Sequence, residues 1–166
     1  MVPLGVAILY WVYRQSRDVR RRHRNGDCCF VSSACLAKST GFHGVEIFAN
    51  YQGLIEQFWT PWFNRRTDHW GASPANRIKF STETLRRIKV TCGQDFIVGL
   101  SISYLDLPGI TLTLDDLSNI VVQHDDAGLI DYVTCGTGGY LDTAQLAPAA
   151  DRGHSLGVPT GRAPEI

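Results

Sequence analysis

Hydrophobic residues in the central part of the chain recur at two spacings, one typical of amphipathic helices and one typical of buried strands. The pattern predicts six elements in alternation, bounded by glycine, proline or small polar residues. In order they are a helix at residues 30–39, a strand at 45–48, a helix at about 74–91, a strand at 96–103, a helix between Thr113 and Gly128, and a strand at 131–135. Because a helix separates each strand from the next, the strands are expected to pair in parallel with helices outside the sheet.

Capping signals support these helix ends. Gly41 lies where a C-cap glycine belongs, and Ser73 followed by Pro74 is typical of an N-cap and a first helical residue. Thr113 caps the last helix, whose first turn carries acidic residues that suit the positive end of the helix dipole. The predicted buried stripe of this helix consists of Leu114, Leu117 and Val121.

The predicted strand at 96–103 has two unlike faces. Larger apolar residues alternate with a smaller, more polar set, which is Ile97, Gly99, Ser101 and Ser103. Because successive side chains of a strand point to opposite faces, the small set is expected on the inner face of the sheet, away from the helices.

Composition sets the broad class. The 166 residues, 44% of them hydrophobic, are enough to bury the core of one domain. The 16 basic and 16 acidic side chains cancel, so no overall basic field points to nucleic acid. The five cysteines include no CxxC pair and no matching histidine spacing, which argues against a metal site or a disulfide framework. Reduced thiols and a cytoplasmic location are therefore expected.

The N-terminal segment, residues 1–26, fits the alternating pattern poorly. Residues 2–13 are apolar, but they contain Pro3 and fall short of the roughly 20 residues that a membrane-spanning helix needs. The arginines follow the apolar run, which is the wrong order for a signal peptide. We expect a poorly structured start outside the core, followed by a solvated Arg-rich helix face. A membrane anchor with cytoplasmic arginines is the alternative.

Three parallel strands do not make a complete barrel. Their edges would be unpaired and one face would lack helices, whereas a closed (β/α)8 barrel has eight such units in typically ~250 residues. The predicted fold is therefore α/β, a partial TIM barrel. It occupies residues 27–145, and residues 146–166 form a flexible tail rich in proline, glycine and alanine.

Four sequence motifs carry a family resemblance. They are GFHGVEI at 41–47, LIEQF at 54–58, NRRTDHWG at 64–71 and SPANRIKF at 73–80. With these motifs, residues 30–159 resemble the old yellow enzyme family of NADH:flavin oxidoreductases. The likeness is greatest to its branch of 2,4-dienoyl-CoA reductases, trimethylamine dehydrogenases and N-methylproline demethylases. The resemblance identifies the segment as roughly barrel strands four to six with their helices.

The resemblance also implies a cofactor and a reaction. FMN would lie at the C-terminal mouth of the barrel, where NAD(P)H reduces it and an unsaturated carbonyl compound accepts the hydride. In other relatives the flavin oxidises an N-methylated amine instead. Strands one to three, and strands seven and eight with the FMN phosphate site, are missing from this sequence by comparison with the family. Activity of the chain as it stands is therefore expected to be impaired.

The resemblance points to three candidate site residues, and the chain departs from the family pattern around them. Relatives place His-x-x-His or His-x-x-Asn after the first predicted strand. Here Phe48 takes the first of these positions and Tyr51 the second, which makes Tyr51 a candidate proton donor. Ser101 stands where relatives have an arginine beside the flavin, so it would contact the cofactor without supplying charge. Tyr140, after the glycine-rich turn at 136–139, is the second candidate proton donor.

Each of these residues also has a purely structural interpretation. Tyr51 would pack within its loop, Ser101 would fill space near the mouth, and Tyr140 would lie on the surface. Glu46 is expected to point into the barrel interior, either as a catalytic acid or in an ion pair with an arginine of the long loop or the next helix. The candidate arginines are Arg65, Arg66 and Arg77, and the expected aromatic lid of the loop consists of Trp59, Trp62, Phe63 and Trp70.

Two main functional hypotheses follow, beside the membrane-tethered protein that an anchor at residues 2–24 would give. The first is a fragment of an FMN-dependent NAD(P)H:flavin oxidoreductase that acts on a small molecule. The second is a non-catalytic remnant or assembly module whose open barrel edges pair with another copy. Binding of FMN by the purified chain distinguishes them.

Overall fold

Strands and helices alternate in the computed structural model, which describes residues 6–9 and 19–138, with side-chain environments from residue 29 onward. The elements are β1 (Val6–Leu9), α1 (Val19–Ser39), β2 (Gly44–Ala49), α2 (Leu54–Trp59), α3 (Pro74–Arg77), α4 (Lys79–Cys92), β3 (Ile97–Tyr104), α5 (Leu114–Asp126) and β4 (Tyr132–Thr137). The sheet has the order β1-β2-β3-β4, and each of these pairings is parallel. The parallel pairing predicted for the three central strands is confirmed.

The structure adds a fourth strand to the three predicted. Residues 1–26 are expected outside the core, yet β1 lies on the sheet as the parallel partner of β2. The physical reason is that β2 would otherwise present an unpaired edge, and the apolar run supplies backbone donors and acceptors for it. The described part of the Arg-rich segment is helical, since α1 begins at Val19 rather than at residue 30. Arginine is a good helix former, so the helix extends back through this run.

The predicted helix at 74–91 is present but divided at Ile78. The hydroxyl of Ser73 accepts the backbone N–H of Asn76 at 3.2 Å, and Pro74 is the first helical residue, so the predicted cap is confirmed. At the other end Gly93 has φ 94°, a left-handed conformation that glycine adopts without strain. Gly41, which follows the end of α1 as predicted, has the same positive φ of 94°.

The helix after Thr113 carries a full capping box, because the Thr113 hydroxyl accepts the Asp116 N–H and the Asp116 carboxylate accepts the Thr113 N–H. Its buried stripe differs from the predicted one. Leu114 is 57% exposed, while Leu117, Ile120 and His124 are buried. Leu114 occupies the first helical position, where the chain has just entered from the loop, so the face toward the sheet begins one turn later.

The core lies between the sheet and the helices α1 and α4. Val45 and Ile47 of β2 and Val98 and Leu100 of β3 are fully buried on this side. The helices contribute a matching apolar surface, which includes Ala34, Leu85 and Ile88. The apolar outer face predicted for residues 96–103 is therefore confirmed. The small residues of this strand lie on the opposite face.

A buried ammonium group ties α4 to the start of β4. Lys89 Nζ lies 2.6 Å from Asp131 Oδ2 and 3.1 Å from the carbonyl oxygen of Phe96, and the Lys89 side chain is 5% exposed. The same carboxylate oxygen accepts the backbone N–H of Val98 at 2.6 Å. Asp131 thus neutralises the buried ammonium group of Lys89 and accepts the backbone N–H of Val98. These contacts lie at the amino ends of the strands.

Within the described residues, no helix is both long enough and apolar enough to cross a membrane. The tail at 146–166, Tyr140 and Gly139, the last residue of the glycine-rich turn, lie outside the described residues, so the roles predicted for Tyr140 and the tail stay predictions.

Candidate functional site at the carboxyl ends of the strands

The face of the sheet turned away from α1 and α4, here called the inner face, is built in rows across β2, β3 and β4. The strand register aligns Glu46, Gly99 and Tyr132 in one row, called the deep row. The next row toward the carboxyl ends, called the mouth row, contains Phe48, Ser101 and Thr134. Beyond it, Ser103 pairs with Gly136. Since all strands run the same way, their carboxyl ends and the loops that follow meet at one edge.

In the deep row, the Tyr132 phenol crosses Gly99 to reach Glu46. A methyl group on Gly99 would overlap the Tyr132 ring, so a residue without a side chain is required there. Burial, together with the hydrogen bond and charge of the Glu46 carboxylate, raises the pKa of Tyr132 to about 12. The tyrosine hydroxyl therefore stays protonated and donates to the carboxylate. Glu46 has this phenol as its partner, and the ion pair expected with Arg65, Arg66 or Arg77 is wrong.

In the mouth row, Ser101 is held by Asn50, the residue that directly follows β2. Asn50 Nδ2 donates to Ser101 Oγ at 2.8 Å, and both residues are buried. Within the described part of the chain, Asn50 Oδ1 has no hydrogen-bond partner. A buried acceptor without a donor costs free energy, and its presence at the carboxyl edge marks a place where a ligand can supply the missing N–H or O–H.

The turn after Asn50 is strained. Tyr51 and Gln52 have φ values of 51° and 55°, in the left-handed region that residues with side chains rarely adopt. Two side chains hold this turn, because Ser103 Oγ accepts the Tyr51 N–H at 3.0 Å and Glu56 Oε2 accepts the Gln52 N–H at 2.7 Å. Strain that neighbouring groups maintain in this way is commonly found at functional sites.

The strained turn sets the direction of the Tyr51 side chain. Its hydroxyl lies beside Gly136 of β4, where a Cβ atom on the glycine would stand 3.0 Å from the phenol oxygen. Its ring is 5.9 Å from the Phe48 ring, centroid to centroid. Tyr51 thus spans from the end of β2 to the end of β4, beside the pair of Ser103 and Gly136 just beyond the mouth row.

Glu56 is the buried carboxylate behind this turn. It lies in the first turn of α2 and is 4% exposed. Burial raises its pKa to about 7, against the opposing effect of its hydrogen bonds with Gln52. A group that changes charge near neutral pH therefore supports the backbone that carries Tyr51.

The arginines of the long loop between α2 and α3, and of α3 itself, make local contacts around this loop. Arg77 Nε of α3 donates to the carbonyl oxygen of Trp59, the last residue of α2, at 2.9 Å, which holds the two ends of the loop together. Arg66 pairs with Asp68 inside the loop and lowers the pKa of that carboxyl to about 2. Arg65 stacks on the exposed ring of Trp62, 5.0 Å from its centroid.

The loop aromatics do not form one lid. Trp59 is 1% exposed and lies in the main core, where its indole N–H donates to Ser81 Oγ at 2.9 Å. Trp62 is 47% exposed. Phe63 and Trp70 are intermediate, and Trp70 packs against Phe80 of α4. The expected lid core is therefore divided between the protein interior and the surface.

The structure brings two of the three predicted site residues to the same edge. Ser101 lies in the mouth row and Tyr51 lies just beyond it, beside Ser103 and Gly136, while Tyr140 lies outside the described residues. Asn50 and Glu56 were not among the candidates. Asn50 shares the strand parity of Glu46 and Phe48, which could have indicated an inward direction, but its bond to Ser101 joins positions that are 51 residues apart.

The family follows from comparison with known proteins. A profile of the NADH:flavin oxidoreductase / NADH oxidase family matches residues 26–150. The chain belongs to this family, and the resemblance expected from the four motifs is confirmed. The family implies a flavin cofactor and a nicotinamide nucleotide as partner.

Individual relatives agree with this assignment. The chain is 39% identical to N,N-dimethylglycine/sarcosine dehydrogenase of Chromohalobacter salexigens over 103 residues, 62% of this chain and 15% of that protein. It is 49% identical to cinnamate reductase of Clostridium sporogenes over 75 residues, 45% of this chain and 11% of that protein. The chain thus spans less than a fifth of the length of either relative.

A solved structure supports the fold class. The structure of 2-naphthoyl-CoA reductase with 2-naphthoyl-CoA superimposes with a TM-score of 0.70 and 26% sequence identity. The match covers 81% of this chain and 21% of that protein. The predicted partial TIM barrel is confirmed.

Proposed function

We propose that the carboxyl edge of the sheet is the part of an FMN site at which hydride transfer takes place. The observation that carries the proposal is the mouth row, where a buried Asn50–Ser101 pair and the strained Tyr51 turn meet. As in relatives, FMN when bound would take a hydride from NAD(P)H and deliver it to an unsaturated carbonyl compound, or take one from an N-methylated amine. The substrate is a small molecule, and the rest of the barrel would complete the site.

The residues of this edge fit the flavin ring system. The polar edge of the isoalloxazine carries both N–H donors and carbonyl acceptors. Asn50 Oδ1 offers a buried acceptor that lacks a donor within the described residues. Ser101 Oγ already accepts the Asn50 amide, so its hydroxyl proton remains to be donated. This pair would bind and orient the ring through hydrogen bonds, without the positive charge that an arginine supplies.

Tyr51 is the proton donor in this proposal. Its phenol lies next to Gly136, just beyond the mouth row, where it would face a substrate that lies on the flavin. The bonds from Ser103 and Glu56 keep the turn, and hence the phenol, in place before the substrate arrives. Tyr140 is proposed as a second donor on the loop after β4.

FMN binding is the first test. Titration of the full chain with FMN should quench the flavin fluorescence, and Ser101→Ala should weaken the affinity about fivefold, the effect of one hydrogen bond. Asn50→Ala should weaken the FMN affinity by at least as much. It removes the unpaired acceptor Asn50 Oδ1 and also the hydrogen bond that positions Ser101. The matched control is Ser118→Ala, the same change at an exposed position of α5. Equal FMN affinity in Ser101→Ala, Asn50→Ala and the unmodified chain would contradict the proposed site.

The second test concerns proton delivery. Tyr51→Phe removes only the phenol oxygen, and we expect it to lower the rate of NADH-driven reduction of an unsaturated carbonyl compound roughly 100-fold. The FMN affinity should not change. Tyr104→Phe is the control, because Tyr104 ends β3 on the face that packs against the core. An unchanged rate in Tyr51→Phe, with activity present in the unmodified chain, would assign the proton to another group.

The alternative function is assembly without catalysis. β4 ends the sheet, and its residues Thr134, Cys135 and Thr137 are exposed, which favours pairing of this strand with a second copy. Sedimentation of the chain with and without FMN separates the two functions. A dimer that forms equally well with and without FMN supports assembly, and FMN binding supports the flavin site. The expected cytoplasmic location stays a prediction.

A further inference from the structure

Two thiols meet at the contact between α1 and α4, on the side of the sheet away from the mouth row. The Sγ atoms of Cys35 and Cys92 are 3.9 Å apart. Both are free cysteines; Cys35 is half-buried, and Cys92, the last residue of α4, is 2% exposed. The two residues lie 57 positions apart in the chain, so the contact depends on the tertiary fold.

The distance is short enough for a bond. A disulfide requires the sulfurs to approach to about 2.05 Å, a further movement of about 2 Å that side-chain rotation and small shifts of the packed helices can supply. Cys29, on the same helix as Cys35, and Cys135, at the exposed end strand β4, have no comparable sulfur contact among the described residues.

The surroundings make the two sulfurs unequal. Burial, together with the hydrogen bond and charge of the neighbouring Cys35, raises the pKa of the Cys92 thiol to about 11, against the opposing charge of Lys38. Lys38 Nζ also donates to the carbonyl oxygen of Cys92, which fixes the end of α4 against α1. Cys35, being more exposed, is the sulfur that a small oxidant reaches first.

We propose that Cys35 and Cys92 form a reversible disulfide when the protein meets hydrogen peroxide. The Cys35 thiolate attacks one peroxide oxygen, the O–O bond breaks, and the products are a sulfenic acid on Cys35 and, after protonation, water. The Cys92 sulfur then attacks the sulfenic sulfur; an S–S bond forms, the S–O bond breaks, and the thiol proton leaves with the hydroxyl as a second water. Two thiols are oxidised and one peroxide is reduced. The step does not depend on FMN binding.

The bond would join the two helices that cover β2 and β3. The closed loop runs from residue 35 to residue 92 and contains β2, the strained turn and Glu56. Closing a loop of this length restricts the unfolded chain, so the oxidised protein should melt roughly 5–10 °C higher than the reduced protein. The modification would thus stabilise the half of the molecule that carries Tyr51.

The test uses a variant with two cysteines, Cys28→Ser/Cys29→Ser/Cys135→Ser, which keeps only Cys35 and Cys92. After treatment with peroxide, the intact mass should fall by two hydrogen atoms, and free-thiol titration should show the loss of both thiols. The higher melting temperature should appear at the same time. Dithiothreitol should reverse all three changes.

Single substitutions in the unmodified background provide the control. Cys35→Ser should abolish both the mass change and the rise in melting temperature, whereas Cys135→Ser should leave them intact. Peptide mapping of the oxidised two-cysteine variant must join the peptide that contains Cys35 to the one that contains Cys92. Retention of both thiols after peroxide, or conversion of Cys35 to the sulfinic acid without a crosslink, would overturn the proposal.

Discussion

Replacing Asp131 with alanine should lower the free energy of unfolding by about 3 kcal/mol, because it leaves a buried ammonium group without its charge partner. Lys89 would keep only carbonyl oxygens, at 3.1 Å from Phe96 and 3.3 Å from Gln94. The backbone N–H of Val98 would lose its acceptor in the same step. Urea unfolding followed by tryptophan fluorescence measures the change.

Two further variants separate the causes of this effect. Lys89→Met removes the buried charge itself, so it should cost less than Asp131→Ala. Asp126→Ala is the matched control at an exposed aspartate and should stay within about 0.5 kcal/mol of the unmodified protein. A loss of stability in Asp131→Ala no larger than that of the control would show that the ion pair is dispensable.

Glu56→Gln is expected to stabilise the protein above neutral pH. Burial raises the pKa of Glu56 from 4.5 to about 7, so the folded state holds this proton more tightly than the unfolded state. The contribution of Glu56 to the free energy of unfolding is therefore greatest below pH 4.5. It is lost as the pH rises toward 7, and the difference is roughly 3 kcal/mol. Glutamine keeps an oxygen for the Gln52 N–H but has no charge to bury.

The measurement is the difference in unfolding free energy between Glu56→Gln and the unmodified protein at pH 5 and pH 8. We expect a small difference at pH 5 and an advantage of a few kcal/mol for the variant at pH 8. Glu83→Gln, at a half-exposed glutamate that pairs with Arg86, should show almost no dependence on pH. A difference that is the same at both pH values would show that Glu56 does not titrate in this range.

His124 makes this comparison between variants necessary. Burial lowers the pKa of its imidazole, whose Nε2 lies 2.9 Å from Ser81 Oγ. A lowered pKa means that stability falls as pH drops below 6.5, the opposite direction to Glu56. The unmodified protein combines both effects. Because His124 is present in both Glu56→Gln and the unmodified protein, its contribution cancels when their free energies of unfolding are compared.

Features of the fold that depend on short stretches of sequence were predictable. The caps at Ser73 and Thr113 and the glycine ends at Gly41 and Gly93 involve neighbouring residues. The small inner face of β3 follows from alternation along one strand. β1 and the first half of α1 could not be predicted in this way, because a short apolar run becomes a strand only when a partner edge is available.

The site was predictable only in part, for the same reason. Alternation indicates that Glu46 points inward, but its partner Tyr132 lies two strands away, across Gly99. An arginine was the expected partner because the sequence shows which residues are charged. The sequence does not show the register of three strands, which is what brings Tyr132 to Glu46. Asn50 was missed because its importance comes from its contact with Ser101.

The phenol that crosses Gly99 limits how far a bound molecule can descend. The Tyr132 ring occupies the space that a side chain at position 99 would fill, so it forms a floor beneath Ser101. A ligand that enters from the strand ends is therefore stopped at the deep row. Because the Tyr132 ring can lie there only if position 99 has no side chain, Gly99 sets how far the ligand can descend.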